Sequence, residues 1–363
     1  MVVDDPGGLS QPLPSTFVSG LHVYRDSVEI GRLETLGMVA GVAVADDRAY
    51  VTDPTSGLHV FDVSDPARPG ELGRAVMPGI AGRVLVDGDV ALVVDEAHGV
   101  RLVDVSDPSA PRPVGLFARG EPERALAARD GMGLVADGYD LVVFGYTTPA
   151  APREVGRLRN AGRRLGNMAM LDHLAVVPGE YPRLQIVDLT DPSRPDVRGS
   201  LGDETYATGL TVDVQGSLAY IGESMHGGYF VPVPATRTPG PSPTGPTATT
   251  TLCATAPPPG GRLSVVDMSD PAAPAVLGWS GGFGGAPFGI VRAAGGVVWV
   301  VADENFGGLH VLDVSDPTRP VEVAPQLDAA LPRGLGARNV AVDRERVYIA
   351  SRVRVLGLYR IRA

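Results

Sequence analysis

Short apolar segments joined by tight polar turns run along most of the chain. "GVAVADDRAYVTD" (Gly41 to Asp53) and "RVLVDGDVALVVD" (Arg83 to Asp95) each hold two such segments. The Asp87-Gly88 pair is a strong hairpin signal, because both residue types tolerate positive φ. The helical spacing i, i+3, i+4, i+7 is not sustained along the sequence. The pattern therefore predicts antiparallel strands, and their nearly continuous apolar character predicts sheets buried on both faces.

These hairpins belong to a longer repeat. Each is followed by a third apolar segment that ends in Ser-Asp-Pro or a variant, as in "LHVFDVSDPARP" (Leu58 to Pro69), and by a short fourth segment such as "RPVGLF" (Arg112 to Phe117). The repeated prolines lie 42, 41, 43, 79 and 46 residues apart and are Pro66, Pro108, Pro149, Pro192, Pro271 and Pro317. A period near 40 residues accommodates four strands with their turns, which is one blade of a β-propeller.

The recurrent Asp-Pro pair is expected to be turn chemistry and not a metal or catalytic site. Asp suits position i of a type I turn, and Pro suits position i+1 because its ring fixes φ. The second proline, Pro69 in the first repeat, is tolerated at the edge of a sheet, where a missing N–H costs little. The motif thus predicts the corner between the third and fourth strands of each blade.

Counting the first strands gives the predicted architecture. They begin near Val42, Val84, Leu126, Met168, Leu210, Ile290 and Val340. We therefore predict an all-β, seven-bladed β-propeller of four-stranded antiparallel blades, with the ring closed by N-terminal strands, Val28 to Glu34 among them, pairing with the C-terminal blade. Residues 1–15 are expected to be an irregular extension, and residues 16–363 a single propeller domain with a Pro/Thr-rich loop insertion at about 232–261.

The repeated segments "LHVFDVSDP", "VRLVDVSDP", "LQIVDLTDP", "LSVVDMSDP" and "LHVLDVSDP" resemble the LVIVD-repeat family of bacterial proteins. The resemblance extends over roughly residues 35–363. It implies a β-propeller that is often secreted or held at the cell surface, and it provides no catalytic residues to transfer to this chain. The N-terminus shows no signal peptide, so the compartment is left open by the residues themselves.

Composition removes several classes of function. The formal net charge of −11 argues against nucleic-acid binding, which needs a basic surface. All the basic residues are Arg, and with no Lys in the chain, mechanisms that require a lysine are excluded. The single cysteine, Cys253, cannot form an intramolecular disulfide. There is no apolar run long enough to span a membrane, and we expect a monomer more readily than an oligomer.

One loop face of the predicted ring carries basic and amide residues. In propellers, the connections between blades and those between second and third strands share this face, around the central channel. The candidate ligand-binding residues at the starts of the first strands are Arg83, Arg124, Asn167, Arg338 and Asn339. Guanidinium and amide donors of this kind suit a carboxylate or sugar acid. The alternative is that these arginines pair with acids of the same loops.

Acids and histidines at the ends of second strands form a second candidate site on the same face. The candidate metal ligands are Asp95, His98, Glu223, His226 and Asp303. Such a set could hold a divalent cation, calcium through oxygen or a transition metal through imidazole. The alternative is that each acid caps its own turn, because no loop has calcium-binding spacing. The sequence requires no cofactor.

These observations favour a non-catalytic binding or scaffold propeller that presents one loop face to a protein, a glycan or a small anionic ligand. The alternative is a propeller hydrolase or lactonase with a metal or carboxylate site at the channel mouth. That alternative requires three or more acids or histidines that converge on the channel axis.

Overall fold

Strands and turns account for the regular structure. The computed structural model describes residues 19–25, 28–35, 39–65, 68–118, 125–202, 207–225, 260–281, 288–302, 309–323, 337–343, 346–351 and 357–360. The predicted N-terminal extension therefore lies outside the described residues, as does nearly all of the predicted Pro/Thr-rich insertion. None of the described residues forms an α-helix, and thus none forms a helix long and apolar enough to cross a bilayer.

Six antiparallel sheets have four strands each, and each is formed by consecutive strands. Blade one consists of β3 (Gly41–Ala45), β4 (Arg48–Asp53), β5 (Gly57–Asp62) and β6 (Gly70–Ala75). Blade two consists of β7 (Ala81–Asp87), β8 (Val90–Asp95), β9 (Gly99–Asp104) and β10 (Arg112–Phe117). Blade three consists of β11 (Leu126–Arg129), β12 (Met132–Asp137), β13 (Asp140–Gly145) and β14 (Arg153–Leu158).

The other three blades repeat this order. Blade four consists of β15 (Ala169–Leu171), β16 (Leu174–Pro178), β17 (Leu184–Asp188) and β18 (Asp196–Leu201). Blade five consists of β19 (Ala207–Gln215), β20 (Leu218–Met225), β21 (Gly260–Asp267) and β22 (Ala275–Gly281). Blade six consists of β23 (Phe288–Ala294), β24 (Val297–Ala302), β25 (Leu309–Asp313) and β26 (Val321–Glu322).

The terminal strands form two separate sheets. The hairpin of β1 (Ser19–Arg25) and β2 (Val28–Thr35) is one, and the sheet of β27 (Ala337–Asp343), β28 (Arg346–Ser351) and β29 (Gly357–Arg360) is the other. Although β1 lies beside β29, no ladder of hydrogen bonds joins them among the described strands. The prediction of a seven-bladed propeller closed by strand pairing is therefore wrong: the fold is a propeller with six four-stranded blades.

The described strands form no seventh four-stranded blade, and the sequence gives a physical reason. Both terminal segments lack the Ser-Asp-Pro corner that directs the chain from a third strand into a fourth. The three-stranded sheet nevertheless lies in the ring, because β27 packs against the first strand of blade six on one side and of blade one on the other. The first strands thus surround a central channel.

The hydrophobic core lies between consecutive sheets. For example, Leu92 and Val94 of blade two pack against Val135 and Phe144 of blade three, and all four side chains are buried. The ring of Phe144 also stacks on Phe117, with the ring centroids 4.3 Å apart. Strands buried on both faces explain the nearly continuous apolar segments of the sequence.

The predicted corner chemistry is confirmed. The Ala110 N–H donates to the Asp107 carbonyl oxygen at 3.0 Å, which is the i to i+3 bond of a turn with Asp at i and Pro at i+1. Asp104, three residues earlier, accepts from the Ser106 amide at 3.1 Å and from its hydroxyl at 2.6 Å. These bonds, together with Arg112, hold the pKa of Asp104 below its usual value.

The corners of blades two to six each fit against a glycine in the outermost strand of the preceding blade. A Cβ at Gly73 in β6 would lie 2.5 Å from the carbonyl oxygen of Ser109 and 2.7 Å from that of Pro108, in the corner of blade two. The same close approach to a backbone carbonyl of the next blade's corner occurs at Gly115, Gly156, Gly199 and Gly278. The sequence motif therefore also has a packing role between blades, which the repeat pattern alone did not predict.

Candidate ligand-binding site at the channel entrance

The two kinds of loop predicted to share a face do so. The connection from blade one to blade two contacts a second-to-third connection, because the Glu96 amide donates to the Ile80 carbonyl oxygen at 3.2 Å. The Ser-Asp-Pro corners lie at the other end of the strands, where the Val105 amide donates to Asp89 in a first-hairpin turn at 2.9 Å. The corners and the candidate site are therefore on opposite faces.

Strand register defines which residues lie at the mouth of the channel. The first two strands of each sheet form a hairpin. Counting the same number of residues back from the turn of that hairpin identifies, in every inner strand, the residue equivalent to Arg83. We call these residues the entrance ring: Gly41, Arg83, Ala125, Asn167, Thr211, Ile290 and Asn339. The predicted residues Arg83, Asn167 and Asn339 belong to this ring.

The structure corrects the other expected members. Strand register places Thr211 and Ile290 at the ring positions of blades five and six, and each directly follows a bulge in its strand. Arg124 lies outside the described residues, and Ala125 occupies the ring position of blade three. Arg338 is in β27, but its side chain is not among those described.

Arg83 is held in place by groups from two other blades. Its Nη1 donates to Oδ1 of Asn167, which belongs to blade four, and its Nη2 donates to the carbonyl oxygen of Leu126 at 2.7 Å. Both acceptors are uncharged. Burial, together with the positive charge of Arg292, lowers the pKa of Arg83 to about 9. The site thus holds a partly desolvated guanidinium without a carboxylate among its described hydrogen-bond partners.

Two further ionisable groups line the channel two positions deeper. They are Asp213 in β19 and Arg292 in β23, at equivalent positions on neighbouring blades. Asp213 accepts from the Ala293 amide at 2.8 Å, and Arg292 Nη1 donates to the Val291 carbonyl oxygen at 2.8 Å. Burial raises the pKa of Asp213, and Arg292 partly opposes that rise. Sequence analysis missed both residues, although an arginine within an otherwise apolar inner strand was a visible signal.

The candidate metal ligands do not form one cluster among the described residues. Asp95 accepts from His98 Nδ1 at 2.9 Å and from Arg101 Nη2 at 2.7 Å. Burial raises the pKa of Asp95, but the bonds from Arg101 and His98 outweigh that effect and the net shift is downward. His226 and Asp303 lie outside the described residues. Among the residues described, no group of three potential metal ligands is found. The metal site remains a prediction from the sequence.

Glu223, the remaining candidate ligand, lies in a separate buried cluster. Its carboxylate is 3.1 Å from Arg183 Nη1 and 2.6 Å from Arg262 Nε, and it accepts from the Ser264 hydroxyl at 2.6 Å. Glu223 and Ser264 are completely buried. Because two guanidinium groups already surround the carboxylate, Glu223 joins blades four and five as an ion-paired group.

The histidines repeated in the third strands join neighbouring strands of the same blade. His59 Nδ1 is 2.9 Å from Glu71 Oε1, and its Nε2 is 2.7 Å from Ser56 Oγ. The same pairing recurs in blade six, where His310 Nδ1 is 2.7 Å from Glu322 Oε1. A bond that recurs between third and fourth strands is typical of blade construction.

A family model of the LVIVD repeat matches residues 36–76, 78–118, 260–279 and 295–325. The protein carries LVIVD repeats. The matches fall on blades one and two, on part of blade five and on blade six, in agreement with the resemblance seen in the sequence. A propeller built on these repeats fits a binding or scaffold role. A search of curated proteins gave no match.

Several solved structures share the propeller architecture. A chain of the Mitotic Checkpoint Complex is 12% identical with a TM-score of 0.60, and the alignment covers 90% of each chain. BamB from Moraxella catarrhalis is 13% identical with a TM-score of 0.52, covering 90% of this chain and 84% of that one. The computationally designed Ika8 protein is 9% identical with a TM-score of 0.54, covering 90% and 97%. At these identities the likeness concerns the fold alone.

Proposed function

We propose that the protein is a binding propeller that takes a small anionic ligand at the channel mouth, with Arg83 as the principal contact. The observation that carries this proposal is the position of Arg83, which Asn167 and Leu126 hold through uncharged acceptors. A charged group withdrawn from water is costly unless an opposite charge accompanies it. An anion at the channel mouth would supply that charge.

The neighbouring charges support an anion in preference to a cation. Arg292 is near enough to Arg83 to depress its pKa, and two guanidinium groups in one channel repel each other. Asp213 offsets part of the charge of Arg292. Arg83, Arg292 and Asp213, the channel groups identified among the described residues, carry two positive charges and one negative charge in a protein of net charge −11. Presenting this face to a protein or glycan remains a prediction from the sequence.

The experiment is a thermal-shift and calorimetric screen against chloride, sulfate, acetate and gluconate at constant ionic strength. A ligand at about 100 times its dissociation constant stabilises the folded state by roughly 2.7 kcal/mol. We expect at least one anion to raise the melting temperature of the wild type, and Arg83→Gln to abolish the rise. Arg198→Gln is the matched control, because Arg198 is exposed in the outer strand β18, where it pairs with Asp188 of β17.

Two results would contradict the proposal. One is the absence of a shift with every anion. The other is an equal shift in the wild type and in Arg83→Gln, which would place the binding elsewhere. Loss of the shift in Arg198→Gln as well would show that it reflects general surface charge and would equally count against the proposal.

A further inference from the structure

The entrance ring holds three buried polar atoms that lack a hydrogen-bond partner among the described residues. They are Arg83 Nε, Thr211 Oγ1 and Asn339 Oδ1. Thr211 is completely buried, and Asn339 is 3% exposed. Buried groups of these types are nearly always satisfied, since leaving one unmet costs about 1–3 kcal/mol. All three occupy the same register position of their inner strands, and so they lie at one level around the channel.

Backbone contacts place two of these residues next to one another. The Asn167 amide donates to the Leu210 carbonyl oxygen at 2.9 Å, and the Val212 amide donates to that of Asn167 at 3.1 Å. Asn167 is therefore paired with the strand segment that contains Thr211. The side chain of Asn167 also accepts from Arg83, and so Asn167 links the guanidinium to the strand that carries Thr211.

Asn339 approaches the same region from the other side of Arg83. Its strand, β27, packs against β3, which in turn packs against β7. The ring residue of β3 is Gly41, where an added Cβ would lie 3.0 Å from Arg83 Cα. The absence of a side chain at Gly41 thus lets the strand that carries Arg83 pack closely against β3.

The chemistry of these atoms differs in a way that defines a ligand. Arg83 Nε is a donor and requires an acceptor, for which a carboxylate is the best match. Asn339 Oδ1 is an acceptor and requires a donor, and the Thr211 hydroxyl can act as either. A simple carboxylate cannot donate, whereas a hydroxyl group on the same ligand can.

We propose that the ligand is a small hydroxycarboxylate whose carboxylate binds Arg83 and whose hydroxyl group bonds to Thr211 or Asn339. This inference rests on the proposed anion-binding function and adds the ligand class. Among the described residues, the two arginines and Asp213 leave one positive charge, and that balance matches a monoanion. Lactate and gluconate are members of this class.

The test compares hydroxylated and plain acids of equal carbon number, namely lactate with propionate and gluconate with hexanoate. Dissociation constants are measured by calorimetry on the full chain at constant ionic strength. We expect the wild type to bind the hydroxylated acid about three- to tenfold more tightly, as one additional hydrogen bond provides. Thr211→Val should remove much of this preference, whereas Arg83→Gln should weaken the binding of both acids.

The outcomes separate this inference from the proposed function. If lactate and propionate bind the wild type equally, the hydroxycarboxylate assignment is wrong and the anion site stands. If neither binds, the hydroxycarboxylate assignment is wrong, and the anion site is then judged by the screen with chloride, sulfate, acetate and gluconate. A preference retained in both Thr211→Val and Asn339→Leu would also overturn the assignment. The ratio of the dissociation constants of propionate and lactate is measured on the wild type alone. The test therefore remains decisive if a variant fails to fold.

Discussion

The contact between outer-strand glycines and the Ser-Asp-Pro corners predicts a defined loss of stability in Gly73→Ala. The new methyl group would lie 2.5 Å from the Ser109 carbonyl oxygen, whereas carbon and oxygen atoms in contact are about 3.3 Å apart. The corner of blade two must therefore move by about 0.8 Å. Overpacking of this kind costs about 1–3 kcal/mol.

Gly70→Ala is a matched control in the same strand. Nothing lies within 4 Å of an added Cβ at Gly70. Both substitutions restrict the unfolded chain in the same way, which favours the folded state by about 0.5–1 kcal/mol. The difference between the two variants therefore isolates the steric contact with the corner.

The assay is thermal unfolding followed by circular dichroism. An unfolding entropy of about 2.1 cal/mol/K per residue amounts to roughly 0.8 kcal/mol/K for 363 residues. A loss of about 1–3 kcal/mol then lowers the melting temperature by about 1–4 °C. We expect Gly73→Ala to melt below the wild type and Gly70→Ala to melt at or slightly above it. Equal melting temperatures for the two variants would refute the packing role of the corner.

Three further predictions concern individual polar groups. Glu223→Gln should lower the free energy of unfolding in urea by about 3–5 kcal/mol, because it leaves two buried arginines without their carboxylate. Asp196→Asn, at an exposed position, should change it little, and equal effects of the two substitutions would contradict the ion pairing. Tyr146→Phe should cost about 1 kcal/mol, since the Tyr146 hydroxyl donates to Asp87 at 2.6 Å, and unchanged stability would show that this bond contributes nothing. Because the pKa of Asp104 is lower in the folded protein than in the unfolded chain, its ionised form stabilises the fold. This stabilisation is complete above the unfolded pKa of about 3.9 and is lost as the pH falls through the folded pKa. The melting temperatures of wild type and Asp104→Asn should therefore converge between pH 5 and pH 2.5, and a constant difference would argue against the assignment.

The candidate site was only partly predictable. Arg83 and Asn167 were identified because they begin inner strands, and the structure brings their side chains into direct contact. Thr211 was missed because β19 begins at Ala207 and has a bulge between Gly209 and Thr211, so the start of the strand does not mark the ring position, and a bulge depends on how two strands pair. Asp213 and Arg292 come from strands about 80 residues apart, and the packing of blade five against blade six brings them together.

The sequence by itself determined the local structure of this protein. The spacing of apolar segments defined the hairpins, the 40-residue period defined the blades, and Asp followed by Pro defined the corners, because each depends on residues near one another in the chain. The tertiary structure decided how many blades have four strands, which residues form the entrance ring and where each corner packs. These features depend on pairing and packing between segments distant in sequence, and local residue preferences do not specify such contacts.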